Sequence, residues 1–181
     1  MQKTRNKFDF YPTPMSIVNE LVHRLDWPKH TPIWEPCSGD GRMVEALRKA
    51  GHTVYGTDIQ NGQDFFDTVQ PIAGSIVTNP PFNRIREFID HALGTLGVER
   101  LAIVCPERLW ACGKGLAQFQ QYEPTRFVNL SWREDYLGRG GAPDRALAIS
   151  IWDMSKKQPC RFEVWTRLIN PLFLSKQHDR V

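Results

Sequence analysis

Short apolar segments alternate with amphipathic segments along most of this chain. The apolar segments span residues 32–37, 52–59, 75–78 and 101–105. The segments between them repeat apolar residues every three or four positions, which is the period of a helix packed on one side. The clearest helical pattern is formed by Ile85, Phe88, Ile89, Ala92, Leu93 and Leu96. Strands that alternate with helices predict an α/β sandwich around a largely parallel sheet with right-handed crossovers.

Further elements are predicted near both ends of the chain. Thr13 and Pro14 have the residue types of an N-cap and a first helical turn, and the helix they start is expected to end before Pro28. Residues 107–122 predict another helix, and residues 126–132 and 145–153 predict two final strands. Three side chains of the C-terminal segment are expected to pack as an extra strand rather than bind substrate, namely Phe162, Trp165 and Leu172.

Composition limits the class of protein. The 181 residues are 41% hydrophobic and 24% charged, which is typical of one globular domain and argues against disorder. Apolar runs are much shorter than a membrane span, and residues 1–7 do not lead into a secretory signal. The four cysteines lack paired spacing, so we expect reduced thiols in a cytoplasmic protein rather than disulfides or a zinc site.

Positive charge is concentrated at the two ends of the chain. The net charge is +3, and the excess of lysine and arginine lies in residues 1–14 and 155–181. Such basic ends either lie along the phosphates of a nucleic acid or form solvated tails.

The unusual residues follow the predicted strands. Residues 35–41, Asp58 and residues 79–82 come directly after the first, second and third strands. Ligands of parallel α/β sheets bind beyond the carboxyl ends of the strands, so we expect these residues to meet in one site.

The first of these segments is a glycine turn between a strand and a helix. Gly39 and Gly41 permit backbone conformations that residues with a Cβ avoid, and they let a ligand lie against a helix N-terminus. Asp58 is placed to accept hydrogen bonds from ribose hydroxyls. The combination favours a nucleoside cofactor, although a Gly-x-Gly turn is also a common tight connection.

The charge of this turn argues against a dinucleotide. Val44 stands where a dinucleotide fingerprint has its third glycine, and Glu35 and Asp40 add negative charge where a pyrophosphate would lie. A cofactor with a cationic sulfonium and an amino group tolerates these carboxylates better.

The tetrapeptide Asn79-Pro80-Pro81-Phe82 is the sharpest signal. Proline lacks an amide hydrogen and has a fixed φ, so two prolines in succession stiffen the loop. The Asn79 side-chain oxygen and the Pro80 carbonyl then form two acceptors for one NH₂ group, and Phe82 offers a ring for stacking. The alternative is a turn in which Asn79 caps a helix and Phe82 packs in the core.

The order of these motifs resembles that of the S-adenosylmethionine-dependent amino-group DNA methyltransferases of the N6-adenine type. The resemblance spans about residues 10–153. It implies a Rossmann-like methyltransferase sandwich with a mostly parallel, seven-stranded sheet and an antiparallel last strand. The motifs that carry it are Thr13-Pro14, residues 35–41, Asp58, Asp64-Phe65 and residues 79–82.

The resemblance implies S-adenosyl-L-methionine as the cofactor. The implied cofactor-binding residues are Thr13, Pro14, Glu35, Gly39, Gly41, Asp58, Asp64 and Phe65. Among them, Asp58 takes the ribose hydroxyls, Asp64 takes the adenine amino group and Phe65 flanks the adenine ring. The others hold or close around the methionine part.

The same resemblance implies direct methyl transfer to adenine in DNA. Asn79 and Pro80 bind the target amino group, Phe82 stacks on the target base, and Pro81 lies beside it. Both acceptors direct the nitrogen lone pair at the methyl group and stabilise developing positive charge. No general base is required before attack, because the proton is lost from an already acidic ammonium.

The chain departs from sequence-specific members of this family. Residues 1–153 are assigned to the catalytic domain, and residues 154–181 to a short basic extension that is too small for a target-recognition region. We therefore expect little sequence specificity, as in an enzyme of a phage or mobile element. Substrate contacts are expected on the loop 131–144, whose candidates are Trp132, Arg133, Tyr136 and Arg139. The alternative is a hairpin loop whose charges cancel against its own carboxylates.

Three other functions fit the same motifs. Adenine in RNA fits because the amino-group receptor does not contact the sugar. A protein glutamine amide also fits two acceptors, although that family generally carries a helical domain before the catalytic fold. The third is a non-catalytic cofactor-binding protein. The oligomeric state is left open by the sequence.

Overall fold

One sheet organises the part of the chain that the computed structural model describes, which comprises residues 12–134, 145–156 and 158–167. Its seven strands lie in the order β2-β1-β3-β4-β6-β5-β7. The strands are β1 Ile33–Glu35, β2 Val54–Gly56, β3 Ser75–Thr78, β4 Arg100–Pro106, β5 Arg126–Glu134, β6 Arg145–Asp153 and β7 Arg161–Trp165. The helices are α1 Met15–Arg24, α2 Arg42–Lys49, α3 Ile85–Ile89 and α4 Gly113–Gln121, and α3 continues as a π-helix over Asp90–Thr95.

The predicted fold class is confirmed as a seven-stranded, mostly parallel sheet with one antiparallel strand. Strands β1 to β4 pair in parallel, and β6 runs antiparallel to both β4 and β5. The antiparallel strand is therefore β6 and not the last strand, which corrects the expectation. The last strand, β7, lies in the segment 154–181 and pairs in parallel with β5 from Arg126↔Arg161 to Leu130↔Trp165.

Two apolar cores lie on opposite faces of the sheet. Successive residues of a strand face opposite sides, so β4 places Ala102 and Val104 in the core of α1 and α2, and Leu101 and Ile103 in the core of α3. All four side chains are fully buried. This double burial explains why the β4 segment reads as a continuous apolar run.

The start of α1 differs from the prediction. Pro14, rather than Thr13, is the N-cap residue, and it makes no side-chain capping bond. Thr13 is buried and its hydroxyl is engaged elsewhere in the site. Within the described residues, no helix has the length and hydropathy needed to cross a membrane.

Candidate cofactor and substrate site

The candidate site lies where β1 and β3 end side by side. After β1, the chain passes through α2 to β2, which pairs with one edge of β1. It then returns to β3, which pairs with the other edge of β1. Such a switch in strand order opens a crevice at the carboxyl edge, which is the usual ligand position in this architecture. Glu35 ends β1, and Thr78 ends β3 directly before Asn79.

The glycine turn adopts the backbone conformation that its residues permit. Gly39 has a φ of +51° and Gly41 a φ of +80°, both in the left-handed region. Gly41 is the N-cap of α2, so the amides of the first helical turn face the end of β1.

Asp58 connects the glycine turn to the end of β2. Its side chain is buried and accepts from the Gly39 N–H at 2.8 Å and from the Gln60 N–H at 2.9 Å. The two bonds use different carboxylate oxygens, and each oxygen keeps a second lone pair for a ligand hydroxyl. Asp58 therefore offers two acceptor oxygens beside the glycine turn.

Glu35 is a fully buried carboxyl group at the end of β1. Its Oε1 accepts from the Cys37 N–H at 3.0 Å and from the Thr78 hydroxyl at 2.7 Å. Its Oε2 is buried and has no hydrogen-bond partner among the described residues. Burial raises the pKa of Glu35 to about 8, against the lowering effect of the two hydrogen bonds and with a further increase from Asp58.

The Asn79 loop is attached to the segment before α1. Asn79 Nδ2 donates to the Thr13 hydroxyl at 3.0 Å, which orients the amide with its donor end toward Thr13. Pro80 is buried, and Pro81 is half-buried. Phe82 is also half-buried and packs against both apolar cores, so only part of its ring faces outward.

Arg42 also contacts the segment before α1, and it was not predicted from the sequence. Its Nη1 donates to the Thr13 carbonyl at 3.1 Å, and its guanidinium pairs with Asp40. The pairing with Arg42 lowers the pKa of Asp40. The charge of Asp40 is thus neutralised locally, whereas Glu35 and Asp58 have no ion-pair partner among the described residues. The only sequence signal for Arg42 was its position directly after Gly41.

The two residues predicted for adenine binding have different surroundings. Asp64 is half-buried and its Oδ1 accepts from the Phe66 N–H at 3.0 Å. Phe65 is buried in the α3 core and stacks on Phe88 with ring centroids 4.5 Å apart. Phe66 is the more exposed ring of the pair and lies 3.9 Å from the Arg84 guanidinium.

Trp132 and Arg133 lie at the carboxyl end of β5, on the same edge of the sheet as Asn79. Trp132 is half-buried, and its Nε1 donates to Glu134 Oε1 at 2.5 Å. The Arg167 guanidinium donates to the same oxygen at 2.8 Å and lies 5.6 Å from the Trp132 ring. Arg133 is exposed. Two other candidates of this loop, Tyr136 and Arg139, lie outside the described residues.

Similarity to known proteins is found at the level of structure. No protein-family model matches the chain, and no curated protein matches it. A type I restriction-modification methyltransferase subunit from Streptococcus thermophilus superposes on 85% of this chain, with a TM-score of 0.62 and 12% identity. The present chain therefore has a methyltransferase fold. A candidate class I S-adenosylmethionine-dependent methyltransferase from Listeria monocytogenes superposes on 91% of the chain, with a TM-score of 0.61 and 15% identity.

The methyltransferase fold is shared with a protein that acts on RNA. A 23S rRNA methyltransferase superposes on 92% of the chain, with a TM-score of 0.55 and 11% identity. The present chain covers 75% of that protein, 68% of the Listeria protein and 47% of the Streptococcus subunit. It therefore spans about half the length of the Streptococcus subunit. The cofactor named for the Listeria protein agrees with the expected cofactor of this chain.

Proposed function

We propose that this protein is an S-adenosyl-L-methionine-dependent methyltransferase that modifies the N6 amino group of adenine in DNA, with little sequence specificity. The observation that carries the proposal is the position of Asn79. It follows β3 at the carboxyl edge, one strand away from Glu35, and its amide is oriented by the hydrogen bond to Thr13. Its acceptor oxygen and the Pro80 carbonyl are suited to the two N–H bonds of one amino group.

The acidic groups of the site fit this cofactor. Glu35 Oε2 is a buried acceptor with no donor among the described residues, which suits the ammonium group of a methionine moiety. Asp58 is suited to ribose hydroxyls, and the turn at Gly39 and Gly41 allows close approach of a ligand. A pyrophosphate offers no cationic N–H group to Glu35 Oε2 and would be repelled by the Asp58 carboxylate, so a dinucleotide fits poorly.

The residues of the loop account for the catalytic step by positioning. When bound, S-adenosyl-L-methionine supplies an electrophilic methyl group on a sulfonium. Asn79 and Pro80 accept both N–H bonds of the target amine, which favours a pyramidal nitrogen with a directed lone pair. The same two oxygens stabilise the positive charge that develops on the nitrogen. In a duplex, the base must leave the stack to reach them.

The substrate is proposed to approach across the carboxyl edge of the sheet. The exposed Arg133 is suited to a phosphate, and the Trp132 indole is suited to a base or sugar. The half-buried ring of Phe82 offers a narrow surface for the target base. Pro81 stiffens the loop between them.

The test of the proposed function is methyl transfer from tritiated cofactor to unmethylated DNA of mixed sequence. Digestion to nucleosides should place the label in N6-methyldeoxyadenosine. Label that is confined to protein, or to other bases, would overturn the proposed substrate. A thermal-shift titration with the cofactor separates an inactive binding protein from a protein that binds no cofactor.

RNA is the second candidate substrate. The structural likeness to a 23S rRNA methyltransferase favours it over a protein amide, and the amino-group receptor itself does not distinguish the two sugars. Matched DNA, RNA and glutamine-containing peptide substrates, assayed side by side, decide between them. The proposal expects the highest kcat/KM with DNA.

A further inference from the structure

Thr78 joins the two halves of the candidate site. It is the last residue of β3 and directly precedes Asn79. Its side chain is completely buried, and its hydroxyl donates to Glu35 Oε1 at 2.7 Å across to β1. The strand that carries the proposed catalytic loop is therefore tied to the proposed cofactor loop through one hydroxyl.

This hydrogen bond determines how the two oxygens of Glu35 are used. The Thr78 hydroxyl and the Cys37 N–H both bind Oε1. Oε2 is then left buried with no donor among the described residues. A buried carboxylate oxygen without a donor is costly, and the cost disappears when a ligand brings a cationic N–H group to it.

We propose that Thr78 is a positioning residue, whose hydroxyl holds Oε1 of Glu35 so that Oε2 accepts a hydrogen bond from the ammonium group of the cofactor. The inference rests on the cofactor part of the proposed function and not on the DNA substrate. Thr78 then takes part in cofactor binding through Glu35, without touching a cofactor atom itself.

Cofactor binding is expected to release the proton of Glu35. Because burial raises the pKa of Glu35 to about 8, the carboxyl group is mostly protonated at neutral pH without ligand. An ammonium group favours the ionised form, so binding releases the Glu35 proton to solvent. The other titratable groups that act on Glu35 are Asp58 after β2 and Cys37 after β1. Burial raises the pKa of Cys37 well above its usual range, so Glu35 is the carrier of this proton.

The test compares cofactor affinity of Thr78→Val, Thr78→Ser and wild type between pH 7 and pH 9.5. Valine removes the hydroxyl with little change in shape, and we expect Kd to rise about tenfold at pH 7. The ratio of the Thr78→Val Kd to the wild-type Kd should fall about threefold or more by pH 9.5, because loss of the hydrogen bond raises the Glu35 pKa further. Titration of the cofactor's own amino group cancels in this ratio. Thr78→Ser should stay within about threefold of wild type.

A matched control is Thr125→Val. Thr125 is another buried threonine, and its hydroxyl donates to the Ile151 carbonyl at 3.0 Å at the opposite edge of the sheet. Loss of the Thr125 hydroxyl should leave the cofactor affinity, and the pH dependence of that affinity, unchanged. Calorimetry of cofactor binding at pH 7, in two buffers of different ionisation enthalpy, should show release of roughly half to one proton for wild type. Glu35→Gln should release none.

Each result separates the inference from the proposed function. A ratio for Thr78→Val that does not vary with pH, in a wild type that binds the cofactor, overturns the inference and leaves the proposed function intact. A wild type that binds no cofactor overturns both. If Thr78→Val does not fold, Thr78→Ala is measured in its place. In the calorimetric experiment, equal proton release by wild type and Glu35→Gln also overturns the inference.

Discussion

The side-chain amide of Asn79 donates a hydrogen bond to the hydroxyl of Thr13 at 3.0 Å. This contact joins the loop after β3 to the segment before α1. The Thr13 carbonyl in turn accepts from Arg42 at the start of α2, at 3.1 Å. Thr13 thus connects its own segment to the loop after β3 and to the start of α2. The orientation of the Asn79 amide depends on these contacts.

The Thr13 hydroxyl is expected to support the transfer step. Thr13→Val removes the acceptor for Asn79 Nδ2, so the amide loses its fixed orientation and kcat should fall about fivefold to tenfold. Thr13→Ser keeps the hydroxyl and should stay within about twofold of wild type. Steady-state kinetics on DNA measure both variants. Equal kcat values for valine and threonine at this position would show that the contact does not orient Asn79.

Removal of the Asn79 amide should separate chemistry from cofactor binding. Asn79→Ala loses one of the two proposed acceptors, and kcat should fall by about 10² or more. The Kd for the cofactor, measured by thermal shift, should stay within about threefold. Asn129→Ala is the control, since Asn129 is also half-buried but lies in the middle of β5. Asn79→Ala with wild-type kcat would contradict the proposed mechanism.

Glu35 should make the stability of the unliganded protein fall with pH. The folded protein retains a proton on Glu35 up to a pKa of about 8, whereas the unfolded chain releases it near 4.5. Between these values the folded state binds more protons, so a rise in pH favours unfolding by up to about 1.4 kcal/mol per unit. This stabilisation is complete below pH 4.5 and lost above pH 8.

Urea unfolding of wild type and Glu35→Gln between pH 5 and pH 9 measures this effect. The free energy of unfolding of wild type, relative to that of Glu35→Gln, should fall as pH rises and then level off above about pH 8. Glu45→Gln, on the exposed face of α2, is the control for loss of a carboxylate. Parallel curves for wild type and Glu35→Gln would show that Glu35 does not titrate in this range.

Gly56 is expected to set the position of the glycine turn. A Cβ at this residue would lie 3.0 Å from Val44 Cγ2 and 3.2 Å from Ser38 Cβ. Gly56→Ala should therefore displace the turn, raise the Kd for the cofactor about tenfold and lower Tm by roughly 3–9 °C. Gly74→Ala is a matched control, because no atom of the described residues lies within 4 Å of its Cβ position. Similar Tm and Kd values for the two variants would rule out the steric explanation.

Arg133 is expected to contact the phosphate backbone of the substrate. Arg133→Ala should weaken DNA binding to a similar degree for different sequences, and the slope of log K against log[salt] should become shallower by about 0.9. Arg161→Ala removes an exposed arginine from the opposite edge of the sheet, at the start of β7, and should leave the slope unchanged. Fluorescence anisotropy at several salt concentrations measures both. An unchanged slope for Arg133→Ala would remove this residue from the substrate surface.

Local patterns predicted most of the strands and helices and the α/β class, but the helix predicted over residues 107–122 begins only at Gly113. The apolar segment 75–78 is β3 without change, and the segment 101–105 lies within β4. Apolar periodicity records which faces of a segment are buried, so these elements could be predicted from sequence alone. The antiparallel position of β6 and the pairing of β7 with β5 depend on which strands meet, and no local pattern specifies that.

The amino-acid sequence by itself determined the residue types at the strand ends and hence the kind of chemistry they offer. Tertiary structure alone decided how they are used. The Thr78 hydroxyl reaches Glu35 across 43 positions, and Arg42 reaches the Thr13 carbonyl across 29 positions. Phe65 is buried in the α3 core while Phe66 is the more exposed ring. Hydrogen bonds and burial of this kind arise only when separate segments pack together, because each bond needs a partner that local sequence does not contain.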